Sequence, residues 1–173
     1  LIDRDHLSAR SQLLDGQNAL EDVAPGEPVF DIADIYADDD SLELPSTSHI
    51  SIVDQYGNAL SMTTTIENAF GSRLMTNGFL LNNEMTDFSF RPHNDGVLIA
   101  KRVEPGKRPR TSLSPTIILK DKKPYLNIGS PGGSRITGYL AQSIIAFFDW
   151  DMNVQDAVSM PHLFNRFGTF DLK

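Results

Sequence analysis

The sequence predicts an α+β chain: a mostly antiparallel sheet with helices layered on it. Two pairs of alternating strands, 48–54 with 59–66 and 115–120 with 124–129, are each closed by a short turn. A helical stripe over 135–149 follows the second pair, with Ile136, Leu140, Ile144 and Phe147 or Phe148 on one face. Strands gathered into hairpins and then followed by helices indicate α+β architecture.

Before the strands, Leu1 to Leu20 carries a helical stripe of Leu7, Arg10, Leu13 and Leu14, with Gly16 placed to cap it and His6 on its surface. Residues 21–28 hold Pro25, Gly26 and Pro28 and read as a loop; residues 31–44 are acidic and irregular. In 48–54, Ile50 and Ile52 face one way and His49, Ser51 and Val53 the other. The turn 55–58 uses Gly57 for its positive φ. In 59–66, Thr63 and Thr65 share one face, Met62 and Thr64 the other. A loop over 71–78 and a short strand at 79–81 come next. Residues 89–110, with three prolines and a run of Lys and Arg, predict a long surface excursion. Asp121 to Lys123 turns the second hairpin, Ser134 is placed to cap the helix, and Asn153 caps a shorter helix that Pro161 stops.

The 173 residues, 40% hydrophobic and 22% charged, suffice for one domain with a core. No apolar run approaches the roughly 18 residues of a membrane span. With no Cys there is no disulfide, thiol nucleophile or Cys-ligated metal. Charge is uneven. Residues 1–46 hold 12 acidic and 2 basic residues, and residues 47–173 hold 11 and 13, giving −10 and +2 within the total of −8. That shift predicts a boundary after Ser46, and the overall acidity argues against a nucleic-acid partner. Asp38-Asp39-Asp40 lacks the His or Gly spacing of a metal loop and reads as a solvated linker. Starting at Leu1 and stopping inside a strand start at Phe170, the chain is expected to be a piece of a larger protein.

Three stretches carry chemistry together. Thr47 stands where a loop enters a strand. A Thr hydroxyl is a weak nucleophile until a base takes its proton, and one solution uses the threonine's own α-amine, which requires the Thr to head its chain. Thr47 Oγ would then first attack the carbonyl of Ser46, giving an ester that water cleaves. Gly132 and Gly133 precede a helix, so their N–H groups can face developing negative charge; no P-loop lysine or dinucleotide fingerprint accompanies them. Thr65 can hydrogen-bond the nucleophile. Glu84 and Asp87 can hold a substrate ammonium, and Thr111, Ser112 and Ser114, after a basic stretch, a carboxylate. Taken singly, each reads more readily as structure: β-propensity, a tight turn, a cap.

Their order decides. Thr47-Ser48-His49, Gly57-Asn58, Thr63-x-Thr65, Phe70-Gly71, Leu80-Leu81-Asn82-Asn83-Glu84-Met85-x-Asp87-Phe88-Ser89, Pro105-Gly106-Lys107-Arg108-Pro109, Ser112-Leu113-Ser114-Pro115-Thr116 and Gly129-Ser130-Pro131-Gly132-Gly133-Ser134 occur in one series. The series resembles the γ-glutamyltranspeptidase (glutathione hydrolase) family of the N-terminal-nucleophile hydrolase superfamily. The resemblance implies an incomplete part of an αββα layered sandwich, with 1–46 as large-subunit tail and acidic linker and 47–173 as a truncated small subunit. It implies Thr47 as the self-processing nucleophile cut from Ser46, Thr65 bonded to it, and Gly132 and Gly133 as oxyanion donors. Glu84 and Asp87 would bind the α-ammonium of the γ-glutamyl group, and Thr111 and Ser112 its α-carboxylate. Glu67 replaces a substrate-contacting Asn, Ser48 a Thr, and Thr111 a Ser.

The implied reaction is γ-glutamyl transfer from glutathione or related compounds to water or an amino acid, with no cofactor or metal. The implied partners are a small γ-glutamyl substrate and the missing large-subunit region, with a homo-oligomer expected where apolar faces lack that region. The implied location is periplasmic or secreted. Related readings are a β-lactam or glutaryl acylase, a poly-γ-glutamate transferase, and a non-catalytic binding or structural module. This piece alone is expected to turn over little γ-glutamyl-p-nitroanilide and to keep its Ser46–Thr47 bond, which intact mass spectrometry checks.

Overall fold

The structure, a computed structural model, describes residues 3–14, 16–18, 20, 36, 37 and 47–165, and the backbone of 170–172. In chain order the elements are α1 (Arg4–Ser11), β1 (Ser48–Val53), β2 (Ala59–Thr64), β3 (Met75–Thr76), β4 (Phe79–Leu80), β5 (His93–Asn94), β6 (Val97–Leu98), β7 (Thr116–Lys120), β8 (Lys123–Ile128), α2 (Ile136–Phe148), α3 (Val154–Ser159), β9 (Leu163–Asn165) and β10 (Phe170–Leu172). The strands pair antiparallel in sequence-adjacent twos. The loop expected at 71–78 thus contains β3, and the loop expected at 21–28 and most of the irregular stretch expected at 31–44 lie outside the described residues.

Alternation builds the first hairpin, with Ser48 opposite Thr64 and Val53 opposite Ala59. Its turn is closed by Asp54, whose carboxylate accepts from the Tyr56 and Asn58 amides at 2.9 and 2.8 Å and from Asn58 Nδ2 at 2.7 Å. These bonds, the Asn58 side chain's first, hold the Asp54 carboxyl below its usual range. In the second hairpin, Asp121 and Lys122 both take left-handed backbone at φ 52° and 65°, as a two-residue primed turn requires.

The hairpins stack face to face. Asn127 Nδ2 of β8 donates to the Leu60 carbonyl at 2.8 Å, Ser61 Oγ donates to the Ile128 carbonyl at 3.2 Å, and Ser51 Oγ to the Asn127 carbonyl at 3.4 Å. These are side-chain bonds across a layer boundary, distinct from the backbone ladders within each hairpin. The polar face of β1 and β2 therefore turns inward. Their aliphatic face, Ile50, Ile52, Leu60 and Met62, stays 40–50% exposed.

The helices depart from expectation at their ends. α1 is capped by Asp3, which accepts from the His6 amide at 2.9 Å, but it stops at Ser11, well before Leu20 and Gly16. It buries nothing, and a short helix without a packing partner has little to extend it. α2 begins after a 3-10 turn over Gly133–Arg135, which absorbs Ser134; no side chain caps the helix. Its buried face is Ile136, Tyr139, Leu140, Ser143 and Ala146, so Ile144 and the phenylalanines flank the stripe. Asn153 caps α3 as expected, accepting from the Asp156 amide at 2.9 Å.

The 89–110 segment is anchored rather than loose. Ile99 is fully buried beside a buried Phe88 and Ser89 at its root. The Ser89 amide donates to Lys101 O at 2.9 Å, and Glu104 pairs with Arg102 and Lys107 at 2.9 Å each. The Ala37 amide donates to Leu98 O at 2.8 Å, and Arg102 lies over the Tyr36 ring at 5.5 Å. Ile99→Ala is expected to cost about 2–5 kcal/mol in urea unfolding; a loss well under 1 kcal/mol would show that the anchor does little.

Candidate functional site

Local register assembles the site. Continuing the β1–β2 pairing one residue beyond Ser48 and Thr64 sets Thr47 opposite Thr65, and both line one pocket. The Glu67 amide donates to Thr65 Oγ1 at 2.8 Å. That bond bends the chain, and Glu67 takes left-handed backbone at φ 70° with its side chain buried. A non-glycine residue in that region is strained and persists only where its surroundings hold it. Part of the hold comes from Asn83, whose Oδ1 accepts from the Asn68 amide at 3.0 Å and whose own amide reaches Ile66 O at 3.3 Å.

The same bonds bring in the next loop. Glu84 and Asp87 are the first and last residues of a 3-10 turn, and their carboxylates meet that of Glu67, with one oxygen from each within 4.8 Å of the others. Three carboxylates so close cannot all ionise freely. Burial first, then the Asp87 charge and a hydrogen bond with Asp87, push the Glu84 carboxyl above its usual range. Glu84 Oε1 is buried with no hydrogen-bond partner among the described residues. Chemically, such a cluster can receive a cationic group.

On the other side, Arg110, Thr111, Ser112 and Leu113 lead past the pocket to the glycine turn. Ser112 Oγ donates to the Gly133 carbonyl at 2.8 Å, and Thr111 Oγ1 accepts from the Leu113 amide at 3.2 Å. The bond to its carbonyl fixes the Gly133 peptide. Gly132 adopts φ 140° and Gly133 φ 59°, conformations that favour glycine. Gly133 and Ser134 line the pocket. Gly132 stands just behind, where a Cβ would come within 3.0 Å of the Tyr139 ring of α2.

One pocket therefore gathers Thr47, Thr65, Glu67, Glu84, Asp87, Thr111, Ser112 and Gly133. Gly132 adjoins it, and Ser46 lies outside the described residues. Arg110, Leu113 and Ser134 also line it and were not among the expected residues. Arg110 carried a signal in its adjacency to the Thr111–Ser112 hydroxyls; the other two carried none.

The fold has close counterparts. It superposes on a Helicobacter pylori gamma-glutamyltranspeptidase mutant with TM-score 0.60 and 46% identity, covering 68% of this chain and 67% of that one. On the Bacillus anthracis transpeptidase enzyme CapD the TM-score is 0.55 at 30% identity, covering 72% and 65%. The chain is thus an incomplete α+β part of an N-terminal-nucleophile hydrolase fold. The gamma-glutamyltranspeptidase family model matches residues 1–171, and the chain belongs to that family. It is 35% identical to the glutathione hydrolase proenzyme of Bacillus subtilis strain 168 over 96% of this chain and 29% of that protein. It is 41% identical to that of Escherichia coli K12 over 72% of this chain and 23% of that protein. The chain spans about three tenths of the length of the first of these relatives. Among the described residues no helix is long and apolar enough to cross a membrane.

Proposed function

We propose that the protein containing this chain transfers γ-glutamyl groups, using Thr47 freed from Ser46 by self-cleavage. The observation that carries the proposal is the convergence, on one pocket with Thr47, of a carboxylate cluster, a hydroxyl corner and the glycine turn. In the mature form the Thr47 α-amine takes the proton from Oγ, which attacks the γ-amide carbonyl. The Gly132 and Gly133 amides receive the oxyanion, and Thr65, which already accepts from Glu67 N–H, turns its own O–H toward the nucleophile. The leaving amine departs with a proton from the ammonium of Thr47. Water or an amino acid then attacks the ester and takes the γ-glutamyl group.

Glu84 and Asp87, joined by Glu67, hold the substrate α-ammonium, while Thr111 donates to its α-carboxylate with Arg110 nearby and Ser112 joins by turning its hydroxyl from the Gly133 carbonyl. The large-subunit region supplies the rest of the pocket, residues 1–46 form its tail, and 47–173 belong to the small subunit. Family membership supports a periplasmic or secreted location.

The carboxylate cluster favours a γ-glutamyl donor over a glutaryl one, which lacks the α-ammonium. In the full-length protein, glutaryl-p-nitroanilide is expected to show kcat/KM about 10²-fold or more below γ-glutamyl-p-nitroanilide, consistent with about 1.5–3 kcal/mol for a charge-assisted bond and further cost for the unpaired carboxylates. Equal values would point to the acylase reading, and turnover only of poly-γ-glutamate to a polymer transferase. CapD, among the structural neighbours, is itself named a transpeptidase.

A further inference from the structure

His49 lies two residues after Thr47, on the same face of β1, and its ring is locked between two hydroxyls. Nδ1 is 2.8 Å from Thr63 Oγ1, the cross-strand neighbour, and Nε2 is 3.0 Å from Ser51 Oγ. Ser51 Oγ also donates to the Asn127 carbonyl at 3.4 Å, which leaves it to accept from His49 Nε2–H. The two hydroxyls fix the orientation of the imidazole.

The ring's flat side is filled by Gly129. A Cβ built on Gly129 would come far inside contact distance of His49 Cε1 and Nδ1. Gly129 directly follows β8 and opens the segment that runs through Pro131 to Gly132 and Gly133. Contacts between the two layers advance in step: Asn127 against Leu60 and Ile52, Ser61 against Ile128, His49 against Gly129. Two residues from His49 and four beyond Gly129, Thr47 and Gly133 line the shared pocket.

We propose that His49 is a positioning residue: its ring, seated on Gly129, sets the distance between the Thr47 hydroxyl and the amides of the glycine turn. The inference rests on the γ-glutamyl transfer reading for its kinetic consequence. A hydroxyl displaced by about 1 Å from its acceptor geometry can cost about 10²-fold in rate while leaving substrate contacts intact. The carboxylate cluster and the Thr111–Ser112 corner lie on other segments, so the contact governs kcat rather than KM.

The test is a steric cycle in the full-length protein: Gly129→Ala, His49→Ala and the double variant. Two rates are measured, self-cleavage ahead of Thr47 by intact mass and turnover of γ-glutamyl-p-nitroanilide. Gly129→Ala is expected to lower kcat by about 10²-fold with KM within about threefold, and to slow self-cleavage. His49→Ala should cost about tenfold in kcat, from a nucleophile strand less firmly seated. In the double variant, removal of the ring makes room for the new methyl, and kcat should recover at least about tenfold over Gly129→Ala alone. A merely structural role would lower the unfolding midpoint without that reciprocal rescue of kcat. A double variant no better than Gly129→Ala, or a Gly129→Ala enzyme with wild-type kcat, overturns the proposal while wild-type turnover leaves the functional reading standing. Wild-type protein that neither cuts itself nor uses the donor overturns the functional reading, and the catalytic meaning of the contact with it.

Discussion

Thr47→Ala leaves the full-length chain uncut and lowers γ-glutamyl turnover by about 10⁴-fold or more, the scale seen when a nucleophile that works as a unit with its base is removed. Two losses coincide. Without Oγ nothing attacks the Ser46 carbonyl, so the α-amine that should serve as base stays tied in a peptide bond. Thr47→Ser keeps both groups and should retain self-cleavage and turnover within about 10²-fold of wild type, the deficit reflecting the less constrained rotamers of a side chain without the γ-methyl. Cleavage is scored by denaturing gel and intact mass, turnover by release of p-nitroaniline. An alanine variant that still splits at this bond, or still turns over the donor, assigns the chemistry to another residue.

Asp87→Asn is the second large effect. It removes a charge from the proposed ammonium site and should lower kcat/KM for a γ-glutamyl donor by about 10²-fold, the upper part of what a charge-assisted hydrogen bond contributes. A glutaryl donor should be unaffected. Glu84 adds a pH signature. Its carboxyl titrates above the usual range because burial and Asp87 disfavour the charged form. The ammonium needs it charged, so donor KM should rise as pH falls through that elevated value, and Glu84→Gln should flatten the acid limb. Stability runs the other way. The native state holds the Glu84 proton more tightly than the unfolded chain, so the destabilisation is complete above the folded value and fades as pH falls toward the unfolded one. Glu84→Gln should therefore raise the unfolding midpoint of the substrate-free protein at neutral pH, with the gain vanishing in acid. A midpoint gain that does not shrink on acidification would refute the charge argument.

What could be read from the chain was local. The turn residues Gly57, Asp121 and Lys122 mark both hairpins, though the closing role of Asp54 did not show, and antiparallel register alone places Thr65 across from Thr47. Asn153 as a cap and Pro161 as a stop are equally local signals. What could not be read depends on segments distant in sequence. Alternation separated Ile50 and Ile52 from His49 and Ser51, but only the position of β8 decides that the polar face turns inward. The fit of His49 on Gly129 joins residues 80 positions apart. Ile99 anchors a stretch whose prolines and cations suggested a free excursion. Ser134 was an apt cap by type, yet the bond from Ser112 to the Gly133 carbonyl accompanies a tighter turn that leaves no cap position for it. Glu67 gave no hint of its left-handed backbone, because glycine or asparagine is the usual signal there.

The short bridge between Ala37 and Leu98 acts as a leash. Ser46 lies nine positions beyond Ala37, and a chain of that length reaches at most about 30 Å whatever path it follows. A carboxyl end newly made at Ser46 would thus remain tethered within that reach of Leu98, at the millimolar effective concentration typical of short links rather than diluted into solvent. Release of the maturation product then becomes a question of how firmly one backbone bridge holds, and loosening Ala37 should quicken the onset of turnover after the cut.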